Sequence, residues 1–400
     1  MSKRSNLLVL TSTYPRWKGD CEPGFVHALS RRLTKHFNVT VLCPASPGVP
    51  ESETMDAVTI RRFRYAPERF QTLVNNGGIV TNLRRSPWKW LLVPFFLLAQ
   101  LLATRAAIKR FRPDVIHAHW LIPQGLNLAI LTRLSTQVPP FLITSHGADV
   151  FALKFWPISA LKRFAAARAT ALTVVSRAML DSLAEQRIPV ENIDVIPMGV
   201  DLENQFTPDS TIKRSKHELL FVGRLVEKKG LRYLIDAMPT ILEAHPEARL
   251  TVAGFGPEES KLYRLSDNLG LGKKVHFIGA VSQDRLPALY RRAALFVAPF
   301  VEAGSGDQEG LGLVTVEAIG CGCPVAVSDI GAASDVLGDA GLRFRAGDST
   351  DLANKVATFL SASDAERAAV TSDFRNRVIG QFDWNGRCES YSRRIKQMTE

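Results

Sequence analysis

The chain has 400 residues, 46% of them hydrophobic and 22% charged, a composition that excludes a disordered polyelectrolyte, a collagen-like repeat and a small disulfide-stapled module. At roughly 150 residues per domain it is long enough for two or three units, each with its own core. The formal charge is +11, and the excess lies in residues 1–200 (25 basic, 12 acidic, +13) rather than residues 201–400 (25 basic, 27 acidic, −2), so the first half is expected to meet something anionic.

The N-terminus runs from Lys3 and Arg4 into Leu7–Leu10. Four apolar residues fall short of the ~7–15 of a signal-peptide core, and they read as a buried first strand. Further strands are expected at Val39–Leu42, Val58–Phe63, Val115–His117, Phe141–Thr144, Ala171–Val175 and Val195–Ile196. Helices are expected over Phe25–Phe37, Pro123–Leu134, Ile158–Arg168 and Arg177–Gln186. Unbroken Val/Ile/Leu runs, rather than strict alternation, indicate strands covered on both faces and hence parallel sheet.

The most lipid-like stretch is Trp88–Leu102, with an apolar run broken by Pro94 and Gln100 and ended by Arg105. That is short of the ~20 residues of a spanning helix. Eleven Lys and Arg residues lie between Arg61 and Arg112, opposed within that span by Glu68 alone. Two readings stay open: an interfacial segment on an anionic leaflet, or a core helix with a solvated basic rim.

The polar stretch Asp201–His217 reads as an interdomain connection. Beyond it the rhythm repeats, with strands at Leu219–Val222, Arg249–Ala253, Val275–Ile278, Leu295–Ala298, Val325–Val327 and Leu342–Phe344. The intervening helices are Gly230–Ala244, Glu258–Asn268, Asp284–Arg292, Leu311–Ile319 and Asp351–Leu360. The expected fold is α/β, two Rossmann-like doubly wound domains presenting their strand ends to a central cleft. The five cysteines, Cys21, Cys43, Cys321, Cys323 and Cys388, show no zinc-ligand spacing. Cys321-Gly-Cys323 could form a redox pair, but small buried thiols in a reducing cytoplasm are the favoured reading.

Three clusters carry chemistry. In Phe221-Val-Gly223-Arg224-Leu-Val-Glu-Lys228-Lys229-Gly230 a strand-to-helix turn offers a guanidinium fork, a point charge and a helix start, which suits a diphosphate. Ala253-Gly254-Phe-Gly256-Pro has two glycines of a dinucleotide fingerprint but Glu259 at the third position. An NAD site is therefore poorly supported, though a nucleotide could approach the backbone there. Glu309-Gly310-Leu311-Gly312 precedes a helix carrying Glu317; eight residues apart, the two glutamates would share one helix face and span an extended polar ligand. His117 and His119 close a strand and read as structural or rim residues. His146 opens a glycine turn at a strand's carboxyl end, where ligands bind in such sheets, and Asp149 would cap the next helix, the favoured reading, or orient His146.

These motifs, with Val195-Ile-Pro-Met198-Gly-Val-Asp201, Ser145-His146-Gly147-Ala-Asp149, Cys321-Gly-Cys-Pro324-Val and Phe382-Asp-Trp384, resemble in order the family 4 (group 1) retaining glycosyltransferases of the GT-B fold. The resemblance covers nearly the whole chain. It implies an N-terminal acceptor domain (1–203), a C-terminal nucleotide-sugar domain (204–380) and a last helix (381–400) crossing back. By resemblance Arg224 and Lys229 bind the donor diphosphate, with Gly223, Gly254, Gly256, Gly310, Leu311 and Gly312 around the donor. Glu309 contacts the transferred sugar, Glu317 the ribose, and His146 lies beside the sugar. Gly24 and Asp149 are on the acceptor side. Met198 stands where relatives often have Asn, and Gly331–Asp335 departs from the usual Gly-Gly-Glu, which leaves the nucleotide (UDP or GDP) and the sugar open.

The chain has no Asp-x-Asp, which fits metal-independent chemistry, and no cofactor beyond the donor substrate is expected. The expected activity is transfer of a sugar to a hydroxyl of a glycan or lipid-linked acceptor in cell-surface polysaccharide synthesis. The setting is cytoplasmic, at the inner face of the membrane. A sugar-nucleotide epimerase would use the same donor site but needs further acid/base carboxylates. Nucleic-acid binding is not expected, because the basic half lacks interleaved aromatics and a reading motif.

Overall fold

Most apolar runs form strands because they can bury both faces between helices; Ile193–Val195 and Val275–Gly279, at sheet edges, keep exposed positions. The computed structural model describes residues 4–20, 24–75, 78–152, 154–189, 192–338 and 341–399. The chain divides into two compact units, Met1–Met198 with Arg387–Glu400, and Gly199–Gly386.

The first unit holds an eight-stranded sheet of β1 (Asn6–Leu10), β2 (Asn38–Pro44), β3 (Ser52–Met55), β4 (Val58–Phe63), β5 (Val115–His119), β6 (Phe141–Ser145), β7 (Ala171–Val174) and β8 (Ile193–Val195). Their order is β3-β4-β2-β1-β5-β6-β7-β8. All neighbours pair in parallel except the β3–β4 hairpin at the edge. The helices are α1 (Phe25–Leu33), α2 (Gly78–Arg85), α3 (Leu92–Phe111), α4 (Leu126–Leu134), α5 (Ala148–Phe151), α6 (Trp156–Arg168) and α7 (Arg177–Glu185). Strand β3 is half-exposed and short of large apolar residues, so it leaves no apolar run to read.

The second unit holds a fully parallel six-stranded sheet of β9 (Glu218–Val222), β10 (Arg249–Ala253), β11 (Val275–Gly279), β12 (Leu295–Ala298), β13 (Val325–Ser328) and β14 (Leu342–Phe344), in the order β11-β10-β9-β12-β13-β14. Its helices are α8 (Leu231–Ala244), α9 (Glu259–Asn268), α10 (Leu286–Arg292), α11 (Leu313–Gly320), α12 (Gly331–Leu337), α13 (Ser349–Ser361) and α14 (Asp364–Phe382); α15 (Trp384–Lys396) ends the chain. Leu219, Phe221, Leu234, Val252, Leu295 and Val297 are at the centre of its core.

Each sheet has one topological switch point, where crossovers leave a strand in opposite directions. In the first unit it lies between β1 and β5, and in the second between β9 and β12. Open α/β sheets bind ligands outside the carboxyl ends of the strands at this point.

Several expectations change. Asp201–His217 is not a free connection: Leu202 and Phe206 are buried and Arg214 donates to the carbonyls of Ala293 (2.7 Å) and Gly322 (2.9 Å), so the stretch packs into the second unit. The apolar segment also continues past Arg105: a helical stretch runs over Pro87–Phe111, long and apolar enough to cross a membrane. Pro94 falls in the first turn of α3, where its missing N–H costs nothing. Leu92, Phe96, Gln100, Thr104 and Ala107 form a buried stripe of α3. Phe96 packs on Phe63 and Tyr65, and Gln100 accepts from Asn127 Nδ2 of α4 at 2.7 Å. The basic rim is thinner than the sequence count: Arg62 pairs with Glu53 (2.6 Å), Arg64 with Glu51, and Lys89 donates to Thr72 O and Asn82 Oδ1. Cys43, Cys321, Cys323 and Cys388 are buried free thiols, and Cys21 lies outside the described residues.

Candidate active site

In the second unit the chain leaves β9 through Gly223 and Arg224 and enters α8 by a single 3-10 turn, Glu227–Lys229. It leaves β12 through Phe300 into the loop that ends at Gly312, the N-cap of α11. The two loops therefore flank the switch point. Lys229 Nζ and Glu309 Oε2 meet there at 2.7 Å, with side chains only 14 and 15% exposed. Glu309 Oε1 accepts from Gly312 N at 3.2 Å, and Lys229 lies over the Phe300 ring, 4.8 Å from its centroid. Burial alone would raise the Glu309 carboxyl, but Lys229 and then Lys228 outweigh it and hold the group down at about 2. Lys228 donates to Asp307 Oδ1 (3.2 Å) and Gln308 O (3.0 Å), and Glu227 Oε1 accepts from Gly304 N (2.9 Å). The two loops are thus stitched together by three successive side chains.

Glu309 and Glu317 do not share a helix face. Glu309 is in the loop, and α11 begins at Leu313 because Gly312 turns the backbone at φ 78°. Glu317 is buried in α11, where Tyr290 Oη donates to Oε2 (3.0 Å) and Gln283 Nε2 to Oε1 (3.2 Å). Desolvation pushes this carboxyl up to about 7, against the lowering by those two donors. Gly310 and Leu311 are buried between the ion pair and α11.

The glycines after β9 and β10 serve each other. A Cβ on Gly254, where φ is 149°, would meet Gly223 O at 1.8 Å, and one on Gly256 would meet Leu225 O at 2.4 Å. Backbone of the 223–225 turn therefore occupies the space that any side chain at Gly254 or Gly256 would need. Gly223 N in turn donates to Ala253 O (3.0 Å), which holds Arg224 half-buried on a fixed turn.

In the first unit His146 follows β6. Its Nε2 is 2.9 Å from Nδ1 of His119, the last residue of β5, and the rings stack at 19°. The ring also meets Phe25 (4.8 Å) and Trp120 (5.1 Å). Phe25 opens α1 directly after Gly24, so the loop after β1 reaches His146 through it. Trp120 holds φ 80°, an uncommon conformation for a bulky residue and one that clusters at ligand sites. Burial lowers His117 and His146 to about 3 and His119 well below its usual range, so all three rings are neutral at pH 7.

Asp149 does not cap a following helix. Its carboxylate accepts from Leu121 N (2.8 Å) and His146 N (3.2 Å), tying the turn after β5 to the turn after β6. Desolvation raises its pKa. Spacing alone did not disclose Tyr290, Gln283, Phe300 and Trp120, which hold or flank the candidate residues from elements far along the chain. Phe300 and Trp120 closely follow strands, which could have hinted at them; no local signal marks Tyr290, inside α10, or Gln283.

Among proteins of known sequence, the family model described as Glycosyl transferases group 1 matches residues 203–376, and the one described as Glycosyltransferase Family 4 matches residues 25–204. A GDP-mannose-dependent alpha-(1-6)-phosphatidylinositol monomannoside mannosyltransferase of Mycolicibacterium smegmatis is 30% identical over 357 residues, 83% of each chain. An uncharacterised glycosyltransferase of Methanocaldococcus jannaschii is 30% identical over 244 residues, 56% of this chain and 60% of that one. The solved sucrose-phosphate synthase of Thermosynechococcus elongatus has the same fold, with a TM-score of 0.78, 20% identity and 99% of both chains covered.

Proposed function

The chain belongs to the group 1 glycosyltransferases, and from that premise we propose that it moves a sugar from a nucleotide-diphosphate donor to a hydroxyl of a glycan or lipid-linked acceptor, with retention of configuration, in building a cell-surface polysaccharide. The observation that carries this reading is the Lys229–Glu309 pair at the switch point of the second unit. A sugar diphosphate needs a cation for its phosphates immediately beside an acceptor for its hydroxyls, and this pair supplies both.

Charge develops on the leaving diphosphate as the glycosidic bond breaks. Arg224 and Lys229, held on a short turn, would stabilise it without a metal ion. Glu309, kept ionised by Lys229, would orient the sugar hydroxyls. The hydroxyl of the acceptor would attack from the face the diphosphate leaves, its proton passing to the departing phosphate, so no side chain is needed as a nucleophile. The neutral His146 ring, with Phe25, Trp120 and Gly24, would receive the acceptor side, and Asp149 would position His146 through its backbone. The named specificity of the M. smegmatis relative for a nucleotide sugar and a phosphatidylinositol glycolipid, together with the basic first half, supports a lipid-linked acceptor at the inner face of the cytoplasmic membrane.

The test is incubation with a panel of UDP- and GDP-sugars and lipid-linked acceptors, read by mass spectrometry. One donor–acceptor pair should give a product, and Lys229→Ala or Glu309→Gln should reduce its formation by at least about 100-fold. Near-normal turnover in either variant, or an epimerised nucleotide sugar formed without acceptor, would overturn the proposal.

A further inference from the structure

Helix α3 is apolar on the side where a surface helix is ordinarily polar. Leu91, Phe95, Leu98 and Leu102 are 72, 62, 54 and 55% exposed, and Trp88 and Trp90 just before them are about half exposed. Spacings of four, three and four residues put Leu91, Phe95, Leu98 and Leu102 on one stripe. The opposite stripe, from Leu92 to Ala107, is buried against β1, β2, β4 and α4. Single exposed apolar side chains need no account, but a continuous row of this length beside two tryptophans does.

The row runs into charge rather than into solvent. Three and seven residues beyond Leu102 the same face carries Arg105 and Lys109. With Ile108, Leu131, Arg133, Leu134 and residues 135–138 they line an open pocket of 490 Å³. Among the described residues, no acidic one lines it. Three cations with the hydroxyls of Thr132, Ser135 and Thr136 in one open pocket, continuous with an exposed apolar row, match a phosphate carried on a hydrocarbon chain.

We propose that the outer stripe of α3 and this pocket form a single seat for an anionic bilayer surface. The apolar row enters the boundary between headgroups and acyl chains, Trp88 and Trp90 lie at headgroup level, and Arg105, Lys109 and Arg133 close around a lipid phosphate. The helix lies on the membrane rather than crossing it. Crossing would strip Phe96 from Phe63 and Tyr65 and leave the buried Gln100 and Asn127 amides without each other. Two-fold pairing with a second copy would set the same unopposed cations against one another. The proposal rests on the membrane-surface part of the proposed function and names the surface and the headgroup chemistry.

The test is flotation of the full-length protein with vesicles of phosphatidylglycerol and phosphatidylcholine (3:7 by weight, to be held constant at about that ratio) against phosphatidylcholine alone. Wild type should float with the anionic vesicles only. At roughly fivefold per cation, R105Q/K109Q/R133Q should bind on the order of 100-fold more weakly. Phe95→Ser with Leu98→Ser and Leu102→Ser should lose at least about tenfold. Both variants should keep the wild-type melting temperature, because every altered side chain is exposed. Wild type that ignores both vesicles would refute the membrane reading and the seat together. Wild type that binds, with both variants binding equally well, would refute the seat alone.

Discussion

Replacing Glu309 by Gln keeps the side chain's shape and an acceptor for Gly312 N but removes the charge facing Lys229. In the folded chain the carboxyl lies at about 2 rather than 4.5; at about 1.4 kcal/mol per pKa unit, the folded site favours the ionised form by roughly 3 kcal/mol. Because the folded value is below the unfolded one, this contribution is complete above about pH 4.5 and is lost as pH falls towards 2. The variant lacks it at every pH and leaves the Lys229 ammonium largely buried without an anion. For a unit of roughly 190 residues, about 3 kcal/mol corresponds to a fall of about 6–12 °C in melting temperature. Calorimetry at pH 7 and at steps down to pH 3 reads it: the gap between wild type and E309Q should be largest at neutral pH and shrink on acidification. Melting temperatures within about 1 °C at pH 7, or a gap indifferent to pH, would refute the account of the pair.

Glu317→Gln should behave in the opposite sense. Its carboxyl is raised to about 7, so its contribution is present below about pH 4.5 and is lost as pH rises through 7; the variant should gain on wild type in melting temperature between pH 5 and pH 8. Gly254→Ala drives a Cβ to 1.8 Å from Gly223 O and should cost more than about 3 kcal/mol or prevent folding, read as a fall in melting temperature by calorimetry or as loss of soluble protein. Gly24→Ala meets nothing within 4 Å and should leave stability within about 1 kcal/mol, so any loss of transfer it causes reports on the ligand.

The strands were legible because a strand covered on both faces must be apolar along its whole length, and that pattern is local. Twelve of them stand out as runs; β8 meets the expected Val195–Ile196 at Val195 alone, and β3, an edge strand with one exposed face, leaves no such mark. Arg224 and Lys229 could be singled out because a cationic strand-to-helix turn is contained within ten residues. The spacing argument for Glu309 and Glu317 failed for the complementary reason. It assumed one continuous helix, and Gly312 begins the helix after Glu309. The basic first half was read correctly as a total, but its useful charge is smaller, since Arg62 and Arg64 are answered by Glu53 and Glu51 from the neighbouring hairpin.

By itself the sequence determined the α/β class and the family, since each of these is carried by short runs and turns whose physics is local. The tertiary structure decided what the residues do to one another. It set Lys229 against Glu309 from eighty positions away, His119 against His146, and Asp149 between two turns, because the strand order makes those strand ends neighbours. It also decided that α3 has two apolar faces with different fates. A composition adds both faces together, and only packing against the sheet separates the stripe that holds the helix down from the stripe left over.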